Sequence, residues 1–475
     1  MTDVIWFRHD LRLEDQTALY HAMKTSKDLI LLFHVNPTQF IDHSFNHQAF
    51  FQAVQFFQTQ VNEQMHLQIL YGDIRACFTR LKAAVPSWER IYYNADESGF
   101  GLQRDQDIAD FFVKNDIKVH AYQDHYMHHA DLIKTQSGQP YKVFTPYYNR
   151  WKEMIKPTPL QVSLVPSIVV KDELFPKDEA EFANLCASLP QKPFYELGSK
   201  AAKRRFKAFT SNHLADYETN RDFPAVSGTS LLSPYLRTGE LSIRTVWSMI
   251  ALAENSIGKQ TFQKELCWRD FYNLIYKENP NQKTESIKKE FQHINWNKSE
   301  TDFQKWCQGQ TGYPIIDAAM AQLNETGWMH NRLRMIVASF LIKDLLIDWR
   351  KGEKYFQQQL IDYSPASNIG GWQWAASTGT DAVPYFRIFN PVTQSEKFDA
   401  SGDFIRTYLP TLKEVPDELI HQPWKMTELD ESLYGVVLGK DYPHPIVVHK
   451  TARLKTLAAY EDSKAYAGDM NELKH

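Results

Sequence analysis

The feature that most limits the fold is a change of hydrophobic period along the chain. In residues 1–135 short apolar runs alternate with helical segments, whereas from Ser199 to about Tyr460 the pattern is helical. Strand candidates are Val4–Phe7, Leu29–Val35, Leu67–Tyr71, Arg90–Asn94 and Lys118–Tyr122, recurring about every 25–35 residues. Ala49–Met65 and Gln103–Lys114 read as helices between them. This is the βαβ signature of an open, mostly parallel sheet, which binds ligands at the carboxyl ends of its strands. The expected fold class is therefore α/β plus all-α. A Rossmann-like, open parallel-sheet domain over 1–135 is followed by a linker over 136–200 and a helical domain over 201–465. At 475 residues the chain is too long for one core, in keeping with that division.

The α/β part has no G-x-G-x-x-G and no G-x-x-x-x-G-K-[ST], so neither a dinucleotide fingerprint nor a P-loop is indicated there. The linker carries six prolines between Pro157 and Pro193 with little periodicity. It reads as an extended segment wrapping the surface and packed partly against both domains. In the helical part, Pro314–Leu323 reads as a helix with proline in its first turn. Asn331–Asp348 reads as one long helix with Leu333, Ile336, Val337, Phe340, Leu341 and Leu345 on a core-facing stripe. Lys200, Lys203, Arg204, Arg205 and Lys207 cluster on one helix, and a solvated face explains them.

Composition narrows the function. Lys+Arg 53 against Asp+Glu 57 leaves −4, which argues against a general nucleic-acid binder while allowing a local basic groove. The cysteines Cys77, Cys186, Cys267 and Cys307 form no CxxC, so no disulfide framework and no metal site is expected. The N-terminus lacks a signal-peptide pattern, and no apolar run approaches the roughly 18–20 residues of a membrane span. A cytoplasmic protein is expected. Aromatic residues make up 13%, and nine of the twelve tryptophans lie from Trp247 onward. That density suits a large flat ligand and equally a large helical core.

Four stretches carry chemistry-bearing residues. Gly228-Thr229-Ser230-Leu231-Leu232-Ser233-Pro234 sets hydroxyls beside a helix start, with Ser233 as N-cap and Pro234 as the first helical residue. It is either an anion site or simple capping. Glu265, Trp268 and Arg269 fall on one helix face, suited to gripping a planar polar ligand or to an intrahelical ion pair beside a core tryptophan. Gly327–Met335 gathers Arg332, Arg334, His330 and Asn331, and Arg334 can pair with an acid such as Asp362. A lone His330 on a helix is ordinarily structural. Asp362–Trp374 joins an acid, an amide and two tryptophans around Gly370-Gly371, either as a cavity wall or as a turn entering a core helix. These patterns alone do not name a reaction.

Together the motifs resemble the DNA photolyase/cryptochrome family, specifically its class I cyclobutane pyrimidine dimer photolyases, nearly end to end. Trp6-Phe7-Arg8-His9-Asp10-Leu11-Arg12 looks like the family's opening strand, and Lys142-Val143-Phe144-Thr145-Pro146 resembles its inter-domain signature. The densest match runs from Thr311-Gly312-Tyr313-Pro314 to Arg387-Ile388-Phe389-Asn390-Pro391. The resemblance implies a helical FAD-binding domain and light-driven repair, in which excited reduced flavin lends an electron that splits a thymine dimer. It implies flavin contacts at Tyr217, Thr229, Ser230, Leu231, Leu232 and Ser233, and at Phe262, Arg269, Trp328 and Asn331. Arg334 and Asp362 match the ion pair beside the flavin, with Tyr363 and Ser364 next to it, and Asn368 matches the residue facing flavin N5. Glu265 matches the carboxylate that bonds the dimer, and Trp268 and Trp374 match the walls of the flipped-lesion pocket. Asn331, Arg332 and Met335 match lesion and backbone contacts, and Arg221, Arg269, Arg387 and Gln394 complete the implied DNA-binding set. Trp372, Trp349 and Trp296 match the tryptophan relay that feeds electrons to oxidised flavin.

Two departures from the family pattern stand out. Ser364-Pro365 replaces the Asp-Leu usual after the first acid, which removes a carboxylate contact. His43 is consistent with a folate-binding loop, and 5,10-methenyltetrahydrofolate is the antenna chromophore considered. However, Phe100 and Gly101 stand where folate-binding relatives place Asn-Glu. The implied partner is DNA containing cyclobutane pyrimidine dimers, bound by a monomer with no obligate protein partner and no membrane. The alternative is a cryptochrome-type blue-light photoreceptor. Plant-type cryptochromes carry an acid where Asn368 stands. A (6-4) photolyase would place paired histidines where this chain has His330-Asn331. A flavoprotein redox carrier would not need the lesion face.

Overall fold

Strands β1 (Thr2–Phe7), β2 (Asp28–Val35), β3 (Leu67–Tyr71), β4 (Trp88–Asn94) and β5 (Lys118–Tyr122) pair in parallel in the order β3-β2-β1-β4-β5. The computed structural model describes residues 2–41 and 43–472. Two strands have the bounds expected from sequence, and the other three begin one or two residues earlier. β1 is buried along its whole length, as a central strand covered on both faces must be, and pairs Val4 with Ile30 on one side and Ile91 on the other. The crossover helices include Phe45–Asn62 and Gly99–Lys114, each starting four residues before its expected bound, and also Thr17–Thr25 and Ile74–Ala84. The chain reverses its winding direction between β1 and β4, so their carboxyl ends open a crevice.

The proline-rich connector is ordered by packing. Val169 bridges Leu29 at the start of β2, where β3 has not yet begun. The Pro176–Ala187 helix holds Asp178, which accepts from the Tyr71 amide at 2.9 Å and pairs with Arg80. Phe144–Glu153 lies in the connector by sequence, yet it buries Phe144, Tyr147 and Trp151 in a cluster with Phe271 and Leu274 of the Ile257–Glu278 helix.

Two local expectations in the helical part are corrected. The core stripe from Leu333 to Leu345 is buried, but Asn331–Asp348 is not one helix. The α-helix ends at Ser339, a π-helix follows over Phe340–Asp344, and Leu346 turns to φ +52°. The break frees the carbonyls of Leu345 and Leu346 for Asn297, and Asp348 caps the next helix, Trp349–Gln359. Ser233 is not a cap either. It begins the Ser233–Thr238 helix, and no side chain bonds that helix start because Leu231, at φ +53°, turns the chain into it.

The Pro365–Ala375 helix sits at the centre of the helical part. It approaches its neighbours closely because glycine lies at both contacts. A Cβ on Gly352 would stand 2.1 Å from the Trp372 ring, and one on Gly370 2.3 Å from the Tyr272 ring. Trp372 is thereby seated on the Trp349–Gln359 helix, and Tyr272 of the Ile257–Glu278 helix lies against Pro365–Ala375.

A buried ionic seam joins the two halves. Asp124, beyond β5, takes Arg12 from the loop after β1 and Arg244 from the helical part, the latter at 2.7 Å. Arg244 also pairs with Asp15 at 2.8 Å, and Arg12 donates to the Gly239 carbonyl at 2.9 Å. Burial opposes ionisation of Asp124, but the two guanidiniums hold its carboxyl well below the ordinary 3.8. Its stabilising contribution is therefore present above pH 3.8 and lost on further acidification. Asp124→Ala leaves the buried Arg12 guanidinium without a carboxylate and Arg244 with Asp15 alone, and is expected to lower unfolding free energy by about 3–5 kcal/mol at neutral pH. In denaturant titrations the gap from wild type should narrow as pH falls. A loss below about 1 kcal/mol would show that water satisfies the seam instead.

Candidate functional site

A cavity of about 430 Å³ runs from the carboxyl ends of β1 and β2 into the helical part. Its upper wall is Phe7, Arg8, Phe33, His34, Phe40 and Phe50. Its lower wall takes in the expected cofactor residues Ser233, Arg269, Arg334, Asp362 and Ser364. Tyr217, Thr229, Ser230, Leu231, Leu232, Phe262, Trp328, Asn331, Tyr363 and Asn368 do not line it. Phe262 is instead a core residue, set edge-on to the Tyr217 ring at 5.2 Å. The Tyr363 phenol turns inward to Glu353 at 2.7 Å.

Arg334 and Asp362 form the expected ion pair at 2.8 Å. Among the described residues, the second carboxylate oxygen, Oδ1, of buried Asp362 has no hydrogen-bond partner. A buried acceptor in that condition calls for a donor. Arg237 and Arg269 add cationic groups to the same wall, and Ser233 adds a hydroxyl. The set fits a cofactor with a diphosphate and a planar ring bearing N–H donors, as FAD has. The departure at Ser364 leaves a hydroxyl, not a carboxylate, at the cavity wall.

Asn368 Nδ2 donates to Glu353 Oε1 at 3.2 Å, and Glu353 is buried. This fixes the amide with its oxygen directed away from Glu353, available to accept from a donor such as a ring N–H. On the Pro365–Ala375 helix Gly371 neighbours both Asn368 and Trp374, three residues away on either side. A Cβ at Gly371 would meet nothing within 4 Å, so the helix looks into open space there.

Glu265, Trp268 and Arg269 share a helix, as expected, but the intrahelical ion pair does not form. Glu265 binds Arg221 at 2.5 Å, and Arg269 donates to the His125 carbonyl while its guanidinium lies over the Tyr126 ring. Trp268 is half-buried and stacked on Phe144 at 3.5 Å with 4° between planes. Trp374 is also half-buried. Arg332 lies over the Phe398 ring at 4.4 Å, its Nη1 near the Met335 sulfur. His330 caps the Asn331–Ser339 helix by accepting from the Arg332 amide, and burial pushes its pKa down to about 4. It is a structural, neutral imidazole. Arg387 and Asn331 are exposed and Gln394 half-exposed.

Trp372, Trp349 and Trp296, expected as the relay, differ in burial. Trp372 and Trp349 are buried, the former packed on Gly352 one turn from the latter. Trp296 is partly exposed and held beside the Leu346–Trp349 segment through the Asn297–Ile347 bridge. Buried Trp306 also lies 6.1 Å from Trp372, but its indole N–H is tied to the Val337 carbonyl.

Sequence reading missed Arg237, Glu353 and Phe144 as parts of the site. Arg237 follows Pro234 by three residues and could have been placed on the same short helix. Nothing in sequence pointed Glu353 at Asn368. His43 is exposed, at φ +60°, and does not line the cavity.

Family models described as "DNA photolyase" and "FAD binding domain of DNA photolyase" match residues 3–166 and 262–462. The deoxyribodipyrimidine photo-lyase of Alkalihalophilus pseudofirmus is 44% identical, covering 96% of this chain and 97% of that one. A bacterial class III photolyase from Agrobacterium tumefaciens superposes with a TM-score of 0.91 at 34% identity, covering 98% of each chain. An archaeal photolyase from Sulfolobus tokodaii with two FAD molecules gives 0.82 at 30%, covering 97% of this chain and 100% of that one. Matched over both halves in sequence and in fold, with an FAD-binding domain where the aromatic helices lie, the chain belongs to the DNA photolyase family.

Proposed function

We propose that the chain is a class I deoxyribodipyrimidine photo-lyase that repairs cyclobutane pyrimidine dimers in DNA. The observation that carries this is the Asn368 amide, oriented by buried Glu353 on the helix that also carries Trp374. When bound and reduced, FAD supplies light absorption and the electron that opens the cyclobutane ring and is then returned. The chain's residues do the rest. Arg334, Asp362 and Ser233 hold the cofactor, with Tyr217 and Thr229–Leu232 at its polar end. Asn368 offers an acceptor to the reduced ring's N–H and, being an amide, adds no charge. Trp268 and Trp374 wall the flipped dimer and exclude water, and Glu265 accepts from its bases. Arg221, Arg332 and Arg387 position the backbone. We read the chain as three parts, 1–135, 136–200 and 201–465, a division supported by the change of hydrophobic period along the sequence. A photoreceptor of the plant type calls for an acid where Asn368 stands.

The purified chain alone, loaded with FAD and reduced, is expected to remove dimers from an oligonucleotide under blue or near-ultraviolet light and not in the dark. We read the chain as a cytoplasmic, nucleoid-associated monomer, and repair by the purified chain alone would show that no protein partner is needed. Absence of light-dependent loss would sink the repair reading.

Trp296→Phe is expected to abolish or slow photoreduction of oxidised flavin while leaving repair by prereduced protein intact. Transient absorption and the repair assay separate these. An equal fall in both would make Trp296 structural.

For a light-collecting second chromophore, the aromatic upper wall of the cavity supports a flat ring at the sheet ends, away from His43. Protein from cells replete in folate and flavin, denatured in the dark, is expected to release a second chromophore beside FAD. Chromatography distinguishes 5,10-methenyltetrahydrofolate from a second flavin, and release of FAD in one equivalent alone would exclude the antenna.

A further inference from the structure

Four side chains of alternating charge cross the rim beside Trp268. Glu265 Oε1 lies 2.5 Å from Arg221 Nη1, Arg221 Nε lies 3.9 Å from Asp222 Oδ1, and Asp222 Oδ2 lies 2.7 Å from Arg332 Nη2. Asp222 is the one member that the repair chemistry leaves without a role. Two of the three arginines expected to position the DNA backbone, Arg221 and Arg332, are thus already held by carboxylates. Each group is at least partly exposed to solvent, so the pairs are exchangeable and not locked. Arg332 is also fixed by means other than Asp222, since its guanidinium lies over Phe398 at 4.4 Å and its Nε is buried.

We propose that Asp222 is an internal competitor for DNA phosphate, and that it sets how strongly the protein distinguishes dimer-containing from undamaged DNA. This rests on the photolyase reading. Undamaged duplex offers mainly phosphates, and its binding is almost wholly electrostatic. A phosphate approaching Arg332 must displace Asp222, and one approaching Arg221 must displace Glu265, with nothing further gained. Damaged DNA makes the same exchange but adds dimer burial between Trp268 and Trp374. Glu265, released from Arg221, then becomes free to accept hydrogen bonds from the dimer. The carboxylates therefore penalise phosphate-only binding more than lesion binding. With a net charge of −4 the chain has little general attraction for DNA, and a local device of this kind has a correspondingly large share of the discrimination.

The test uses the full, FAD-loaded chain in the dark, with dimer-containing and undamaged duplexes across a salt titration. Asp222→Asn is expected to strengthen binding to undamaged DNA by about 1.5- to fivefold, the range of one surface ion pair. The slope of log affinity against log salt should steepen by about one, as one more phosphate becomes contacted. Affinity for dimer DNA should rise less, so the ratio narrows. Asp222→Ser should behave alike. Unchanged or weakened binding of undamaged DNA in both variants, with an unchanged salt slope, overturns the proposal. Equal binding of the two duplexes by the wild type would instead overturn the repair reading itself.

Discussion

Asp124 carries the constraint on which the functional geometry depends. Its carboxylate is fully enclosed between Arg12, from the α/β half, and Arg244, from the helical half. A buried ion pair of this kind adds little net stability, because desolvation offsets most of the attraction, but it penalises any arrangement that leaves one partner alone. Here it fixes how the sheet's carboxyl ends face the helical part. Gly239 makes the approach close, since a Cβ there would stand 2.1 Å from the His9 carbonyl. The cavity forms between these two surfaces, so its shape follows from the seam.

A second constraint acts inside the helical part. Gly352 and Gly370 let the Pro365–Ala375 helix approach both neighbours, which seats Trp372 against one helix and Tyr272 against the other. Asp362, just before that helix, reaches the cavity, Asn368 is oriented from below by Glu353, and Trp374 faces outward. One rigid element thus positions the residues proposed for cofactor, electron relay and lesion wall, which suits a reaction whose efficiency depends on distance and orientation rather than on a side-chain nucleophile.

Much of the fold was legible in sequence because the two periodicities differ so plainly. The strand positions follow from buried apolar runs such as Leu29–Val35, and the core stripe from Leu333 to Leu345 was also correct. The same stripe misled as to helix length. Periodicity does not register a π-turn, and the break at Leu346 is set by Asn297, about 50 residues earlier in the chain. Ser233 and Pro234 have the composition of a cap and first turn, yet the left-handed Leu231 shifts the helix start by one residue.

The sequence by itself determined the fold class, the family and which residue types stand at the site, because these follow from local periodicity and from long contiguous motifs such as Asp362–Trp374. Only the tertiary structure decided the partners. Glu265 meets Arg221 and not Arg269, Asn368 meets Glu353, Trp268 meets Phe144, and Asp222 meets Arg332. Each of these contacts joins segments that are separate in sequence. Their choice depends on how helices pack and on where charge is left without water, which neither spacing nor composition encodes.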